Sequence, residues 1–445
     1  MIITERRAVV FGLSFGILIA FFLRVAPLLK SSLYTYAYDY GFYLDALNSL
    51  KFDLEAIISP VRGGYSSPLF YFSKIFGIPK IFFLDLSFLF LTALVGLSLY
   101  YIFLPKLKWA TIALFLFGLS VIQNEVFFMF LWKTQLGLLL LLVNLKMILS
   151  KRWKALPVTA LLLLLSHRTT FIIFLFLLLI YISFELYRKE NKAPFVFYLV
   201  SMALISLPAI LLLQAEINHF FSITNPFVKD GIFFDIVDYI LLSLPYFVFV
   251  APGLYFYIKV NRDPILPLFF FLSLFWVLLQ LPFYNRIIIY LDISAIIISA
   301  YFFSVWRARK LILVSTMAAV FFALSILSIG NNLYRKTLIS ESDTAEIFEF
   351  TGKQDTGYVL AIDSFNAPWL LGFSQNLEVG APGLFKDRHT YDEWLSFWEG
   401  NNQIEFLSSY PQPLFIYQKD INENTVLLAC LNRESANFYR FACEQ

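Results

Sequence analysis

Seven ionisable side chains and two tyrosines have the types needed to take a group off a phosphate: Asp39, Asp45, Glu125, Lys133, His167, Arg168 and Arg286, with Tyr43 and Tyr65. A departing phosphate gains negative charge, and fixed cations stabilise it best when they are already in place. Arginine suits that task, because its planar fork binds two phosphate oxygens at once. The attacking hydroxyl needs a carboxylate to take its proton, and Asp39 and Glu125 are the candidates. Asp45 follows Asp39 by six positions, about 240° around a helix. The two carboxylates therefore cannot enter one pocket, so Asp39 is read as the base and Asp45 as a solvated or substrate-bonding group.

Each of these residues also has an ordinary structural use. Asp39 is a favoured cap for a helix over 40–50. Glu125, in the run Gln123-Asn124-Glu125, could satisfy backbone groups of a tight interfacial turn, and His167 could be a hydrogen-bonded turn residue. Arg168 and Arg286 could bind ordinary lipid headgroups, and Trp132-Lys133 has the look of an interfacial anchor. What links these residues is a shared side of a membrane.

That membrane is legible in composition. Of 445 residues, 59% are hydrophobic and 15% charged, with mean hydropathy +0.73, which excludes a water-soluble fold. About 20 apolar residues make one span, and the pattern predicts eleven: 8–29, 81–104, 109–123, 135–149, 155–167, 169–187, 194–214, 236–258, 265–282, 286–305 and 311–330. With the N-terminus cytoplasmic, the inward connectors hold fifteen Lys and Arg residues. The short outward ones hold only Lys133, Arg168, Lys229 and Arg286, so the positive-inside rule fixes the orientation. The first span is too long, and lacks the small-residue site, for a cleaved signal peptide.

Charges within spans are few. Arg24 is placed near the outer end of the first span, and Glu216, Asp235 and Asp292 near span ends, a scarcity that argues against a proton-coupled pump. The one long connector, 31–80, carries Tyr38-Asp39-Tyr40-Gly41-Phe42-Tyr43-Leu44-Asp45 and Arg62-Gly63-Gly64-Tyr65-Ser66-Ser67-Pro68-Leu69-Phe70-Tyr71. It reads as a working part on the non-cytoplasmic face.

Hydropathy falls after Gly330, giving two domains: 1–330, spanning the membrane and including the loop 31–80, and 331–445, a small soluble extracytoplasmic α/β domain. In the second, helices are predicted over 343–350 (capped by Asp343, with Glu346 three residues on), 367–373 and 391–398. Strands are predicted over 358–362, 377–379 and 414–417. With no G-x-G-x-x-G or P-loop there, no nucleotide cofactor is expected, and its default role is to frame a site on the outer face. Cys430 and Cys443 both fall in it. An oxidising exterior would allow a disulfide worth roughly 3 kcal/mol; two free thiols are the alternative. No His or Cys cluster has zinc spacing, and a divalent metal is left open.

The arrangement resembles the GT-C superfamily of membrane glycosyltransferases. The resemblance rests on the first span, then Asp39-Tyr40-Gly41-Phe42-Tyr43-Leu44-Asp45-Ala46-Leu47-Asn48-Ser49-Leu50, then Tyr65-Ser66-Ser67-Pro68-Leu69-Phe70-Tyr71. It implies an all-α polytopic domain with a C-terminal soluble domain, and a polyprenyl- or dolichyl-phosphate sugar donor. The acceptor would be a glycan, lipid or protein, with membrane lipids as the other partners and no nucleic acid. Asp39 matches the family's acidic loop position and Glu125 a second acidic site. Arg286 looks like the family's arginine facing the lipid phosphate; Arg168, Lys133 and His167 are read beside it as phosphate-binding, and Tyr43 and Tyr65 would line the sugar. Where relatives have Asp-Glu this chain has Asp39-Tyr40. It also lacks the Trp-Trp-Asp-Tyr-Gly block of oligosaccharyltransferases, because Tyr38-Asp39-Tyr40-Gly41 lies in the other domain; a monosaccharide donor is expected. The rivals are a lipid or solute transporter or flippase, which needs polar groups at mid-membrane, and a non-catalytic assembly protein.

Overall fold

The computed structural model describes residues 18, 21–51, 64–103, 106–188, 200–201, 204, 236–261, 263–281, 284–306, 310–333, 335–362, 365–382, 388–418 and 430–443. The chain forms two compact units, Met1–Lys30 with Lys51–Arg335, and Ser31–Leu50 with Lys336–Gln445. The boundary expected at 330 thus lies at Arg335. Residues 31–50, assigned from sequence to the membrane domain, belong to the C-terminal unit.

In the first unit, five helices are long and apolar enough to cross a membrane, or up to seven if each of two bent pairs is one span. The five candidates are Lys80–Ile102, Trp132–Leu149, Arg168–Tyr187, Tyr284–Val305 and Ser315–Asn332. Two shorter apolar helices, Trp153–Ser166 and Ile265–Leu278, join them. The eleven expected spans therefore reduce, among the described residues, to these; segment 194–214 and most of 8–29 lie outside them.

Two expected spans are broken. Leu107–Leu119 and Val121–Phe128 meet at 56°, and Ile236–Phe247 and Val250–Val260 at 55°. Ser120 causes the first break: its backbone is extended (φ −64°, ψ 122°), ending one helix, while its hydroxyl caps the next by accepting from the Gln123 N–H, as serine does at an N-cap. The second break follows Pro245 inside its helix, where a missing N–H weakens the ladder. At the break the Tyr246 carbonyl accepts from the Phe249 N–H at 3.0 Å and from Ser299 Oγ at 2.8 Å. Helix Val250–Val260 then presses on helix Tyr284–Val305 through Gly253, where a Cβ would come 2.5 Å from the Ile298 carbonyl oxygen.

The second unit holds a five-stranded sheet in the order β2-β1-β3-β5-β4: β1 (Tyr358–Ala361), β2 (Glu378–Gly380), β3 (Leu414–Tyr417), β4 (Leu431–Arg433) and β5 (Phe438–Phe441). β1 pairs in parallel with β2 and β3, and β5 pairs antiparallel with β3 and β4. All four residues of β1 and of β3 are buried, as expected of central strands covered on both faces. Trp394, Phe397, Phe406 and Leu407 pack with Tyr358, Leu360, Leu414 and Ile416. Cys430 and Cys443, at the ends of the β4–β5 hairpin, are joined as a disulfide with Cα atoms 4.8 Å apart. Helix Glu341–Gly352 is capped by Ser340, with Asp343 as its reciprocal partner, not by Asp343 as expected. Glu346 is instead spent on Ser435 Oγ and on the backbone and side-chain N–H groups of Asn437.

Residues 31–50 are built into this unit by specific bonds. Leu338 N–H donates to the Thr35 carbonyl at 2.8 Å, Trp369 Nε1 to the Tyr34 carbonyl at 2.8 Å, and Asn48 Nδ2 to the Gly372 carbonyl at 3.2 Å. Glu341 Oε1 accepts from the Ser32 N–H (2.9 Å), the Ser32 hydroxyl (2.7 Å) and the Ser31 hydroxyl (3.2 Å). Helix Tyr40–Asn48 then meets helix Ala367–Phe373 through two glycines. A Cβ on Gly41 would stand 1.6 Å from the Pro368 carbonyl oxygen, and one on Gly372 2.6 Å from the Gly41 Cα. Gly41→Ala should therefore force the helices apart and destabilise the C-terminal unit by about 3 kcal/mol, the upper range for overpacking. Thermal unfolding followed by tryptophan fluorescence in detergent checks it; an unchanged melting temperature would remove this account of the docking.

Candidate functional site

In the membrane unit, several described helices carry a basic residue and no acid in the first turn, those at Lys80, Lys108 and Lys310 among them, and three more bear on one histidine. Lys133 is the second residue of Trp132–Leu149, Arg168 the first of Arg168–Arg188, and Arg286 the third of Tyr284–Val305. A helix start already carries partial positive charge, so each cation costs a few tenths to 1 kcal/mol where an acid would stabilise. A bound anion would offset three such conflicts at once.

Those cations converge on His167. Its backbone is extended (φ −158°, ψ 104°) and separates helix Leu156–Ser166 from helix Arg168–Arg188. The charges of Lys133, Arg286 and Arg168 all act on its imidazole. The ring is buried, with Nδ1 2.6 Å from Thr170 Oγ1, and Thr170 Oγ1 in turn bonds the Tyr290 hydroxyl. Tyr290 lies one turn after Arg286, so one helix face supplies a cation and the end of the chain that orients the histidine. Gly137 lets helix Trp132–Leu149 come close: a Cβ there would be 2.6 Å from Thr170 Oγ1 and 2.8 Å from His167 Cβ. Lys133, one turn before Gly137, donates to the Gly64 carbonyl and lies 5.0 Å over the Tyr65 ring, a cation–π distance.

The structure thus brings together five of the expected site residues: Lys133, His167, Arg168, Arg286 and Tyr65. Asp39, Tyr43 and Asp45 lie in the other unit. Asp39 occupies the N-cap position of helix Tyr40–Asn48 but makes no capping hydrogen bond through its side chain. Tyr43 is buried and Asp45 half-buried.

Glu125 is not in a connector turn. The run Gln123-Asn124-Glu125 lies buried in helix Val121–Phe128, and the Glu125 carboxylate accepts from Asn331 Nδ2 at 2.6 Å and pairs with Arg335. Arg335 also stacks 4.3 Å over the Phe128 ring. Asp292, expected near a span end, sits inside helix Tyr284–Val305 with no exposed surface. Sequence reading missed Tyr246, Tyr290, Asn331 and Arg335. Only Tyr290 left a signal, its spacing of four from Arg286.

Among the described residues, no group of three or more His, Cys, Asp or Glu side chains could hold a metal ion. A second polar cluster occurs in the C-terminal unit, where His389 Nε2 lies 2.6 Å from Ser409 Oγ and its Nδ1 3.4 Å from Glu393 Oε2. It reads as packing and capping: Ser409 Oγ donates to the Phe406 carbonyl, His389 stacks on Phe406, and Glu393 closes a capping box with Thr390.

No family model matches the chain, and no curated protein does. Among solved structures, the chain is similar to the crystal structure of the Archaeoglobus fulgidus oligosaccharyltransferase in complex with Zn and sulfate. The TM-score is 0.58 at 14% identity, covering 91% of this chain and 68% of that one. The likeness is one of fold.

Hydrogen bonds hold two surface carboxyls of the C-terminal unit below their usual value of 4.5. Glu341 is lowered by the N–H of Ser32 and then its hydroxyl, and Glu393 by the N–H and then the hydroxyl of Thr390. Both depressions add stability that is fully present above about pH 4.5 and lost as pH falls through the depressed values. The melting temperature of this unit should therefore drop as pH falls below about 4.5. In the Glu341→Gln/Glu393→Gln variant the profile should be flatter, which a pH series of fluorescence melts tests.

Proposed function

We propose that the chain is a membrane glycosyltransferase whose cation cluster holds the phosphate of a lipid-linked sugar. The observation that carries the reading is the convergence of Lys133, Arg168 and Arg286 on the buried His167, at helix starts where each charge opposes its own helix dipole. The acceptor hydroxyl attacks the anomeric carbon, the bond from that carbon to the phosphate oxygen breaks, and the configuration inverts. The departing oxyanion gathers charge that the three cations stabilise. Asp39 is the base assigned to the acceptor proton, and Tyr65, beside Lys133, is assigned to the sugar. Glu125 is spent on Asn331 and Arg335, so this reading gives it the holding of its helix in place of proton transfer.

The solved structure that shares the fold is named for oligosaccharide transfer, which supports a sugar on a lipid carrier here. The argument for a monosaccharide weakens, because Tyr38-Asp39-Tyr40-Gly41 belongs to the C-terminal unit. A single sugar and an oligosaccharide present the same phosphate to the cluster.

A transporter is the second reading. It is favoured by Asp292, buried among Ser120, Gln123 and Tyr246 where two spans are broken, since broken helices and mid-span charges mark transport sites. The two readings separate with the full chain in sealed vesicles given a panel of polyprenyl-phosphate sugars. Transfer predicts a covalent product; movement of the lipid or solute without one favours transport. Within the enzyme reading, Arg286→Ala should cut transfer roughly 100-fold, as loss of an oxyanion partner does. Asp39→Asn should abolish most of it, and full activity in that variant would sink the assigned base.

A further inference from the structure

Asp292 has no exposed surface, yet every bond to it comes from an element at a helix break. Its Oδ2 accepts from Ser120 Oγ at 2.9 Å and from Gln123 Nε2 at 2.8 Å. Its Oδ1 accepts from the Tyr246 hydroxyl. Ser120 is the hinge between Leu107–Leu119 and Val121–Phe128, and Gln123 lies in the first turn after it. Tyr246 is the next-to-last residue before the other break, Phe247 to Val250. Gln123 Nε2 also reaches the Ile289 carbonyl at 3.4 Å, three residues along from Arg286. The short helix Val121–Phe128 is thereby keyed to the helix that carries Arg286 and Tyr290.

An apolar residue of similar volume would fill this position without the desolvation that a buried carboxylate costs. What an apolar residue cannot do is accept from two broken helices at once. We propose that Asp292 is a positioning residue: one carboxylate that ties both helix breaks to helix Tyr284–Val305, and so fixes where Arg286 and Tyr290 stand in the cation cluster. The inference rests on the phosphate-site reading for its functional consequence, but not for its structural one. Burial of a carboxylate bonded by side chains from both breaks also explains why neither bent pair straightens into a single span: straightening would strip the Ser120 or the Tyr246 hydroxyl from Asp292 and leave buried polar groups without partners.

The test uses the full chain in nanodiscs, with geranylgeranyl phosphate as the binding probe. The variants are Asp292→Asn, Tyr246→Phe, which removes one bond to Asp292, and Ser120→Ala, which removes another together with the cap on helix Val121–Phe128. Amide hydrogen exchange should rise at both breaks, over 119–124 and over 245–251, in Asp292→Asn. It should rise chiefly at the nearer break in each single-donor variant. Probe affinity should fall roughly tenfold in Asp292→Asn, as for one buried charged hydrogen bond lost. Adding Tyr246→Phe to Asp292→Asn should cost less than Tyr246→Phe alone, because the charged acceptor that the two variants share is already lost. Exchange that rises at one break only, additive double variants, or unchanged probe affinity despite opened breaks would each overturn the proposal. Arg286→Ala separates the two ideas. If it leaves probe affinity intact, the phosphate reading fails, and the exchange pattern still decides whether Asp292 ties the breaks.

Discussion

A single buried carboxylate sets the plan of the membrane unit. Asp292 sits inside helix Tyr284–Val305, whose residues from Ile287 to Phe303 are all buried, and takes hydrogen bonds from Ser120, Gln123 and Tyr246. Water cannot supply these partners in a bilayer interior, so bonds of this kind have to be made within the protein. The two broken spans supply them, because the ends of a helix are where side chains and backbone groups are free to bond outward. Ser120 shows the economy of the arrangement: its hydroxyl oxygen caps one helix by accepting, and its proton serves Asp292.

Around this fixed helix the cations find their places. Arg286 and Tyr290 share one face of it, turned about 100° from the face of Asp292 and Ile289. On that face Tyr290 reaches Thr170, and Thr170 reaches His167. Gly137 removes the side chain that would keep helix Trp132–Leu149, and with it Lys133, away from His167. The cluster thus depends on a missing Cβ and two hydroxyls as much as on its charges. The local rule that acids belong at helix starts is broken three times within reach of one imidazole. Breaks of that kind are expected where a protein binds something.

Much of the fold was legible in the chain. Helices Ala367–Phe373 and Tyr391–Trp398 and strand Leu414–Tyr417 fall where periodicity placed them, because turn residues and alternation bound them sharply. The membrane helices that survive as single spans carry long apolar runs. The broken ones misled, because hydropathy averages over a bend: 109–123 reads as one span although Ser120 divides it. The Ser120-x-x-Gln123 pattern was a capping signal in plain sight, hidden by the apolar residues on both sides. The helix over 40–50 was foreseen, but not its partner, since Gly41 and Gly372 are far apart in sequence and only their contact shows why both are glycine. For the site, residue types pointed to Lys133, His167, Arg168 and Arg286, while Glu125 and Asp292 were misplaced because the partners that hold them come from distant helices.

The sequence alone determined that this chain carries long apolar helices suited to a membrane, which connectors carry the positive charge, that an α/β unit follows them, and which cations were available for an anion. These properties are local, set by runs of similar residues and by spacing along one helix. Tertiary structure decided the rest: that residues 31–50 join the C-terminal unit, that Glu125 pairs with Arg335, that two spans break, and that three cations act on one buried imidazole. The breaks carry local marks at Ser120 and Pro245, but the partners that hold these groups lie far along the chain, and no pattern in the sequence encodes their approach.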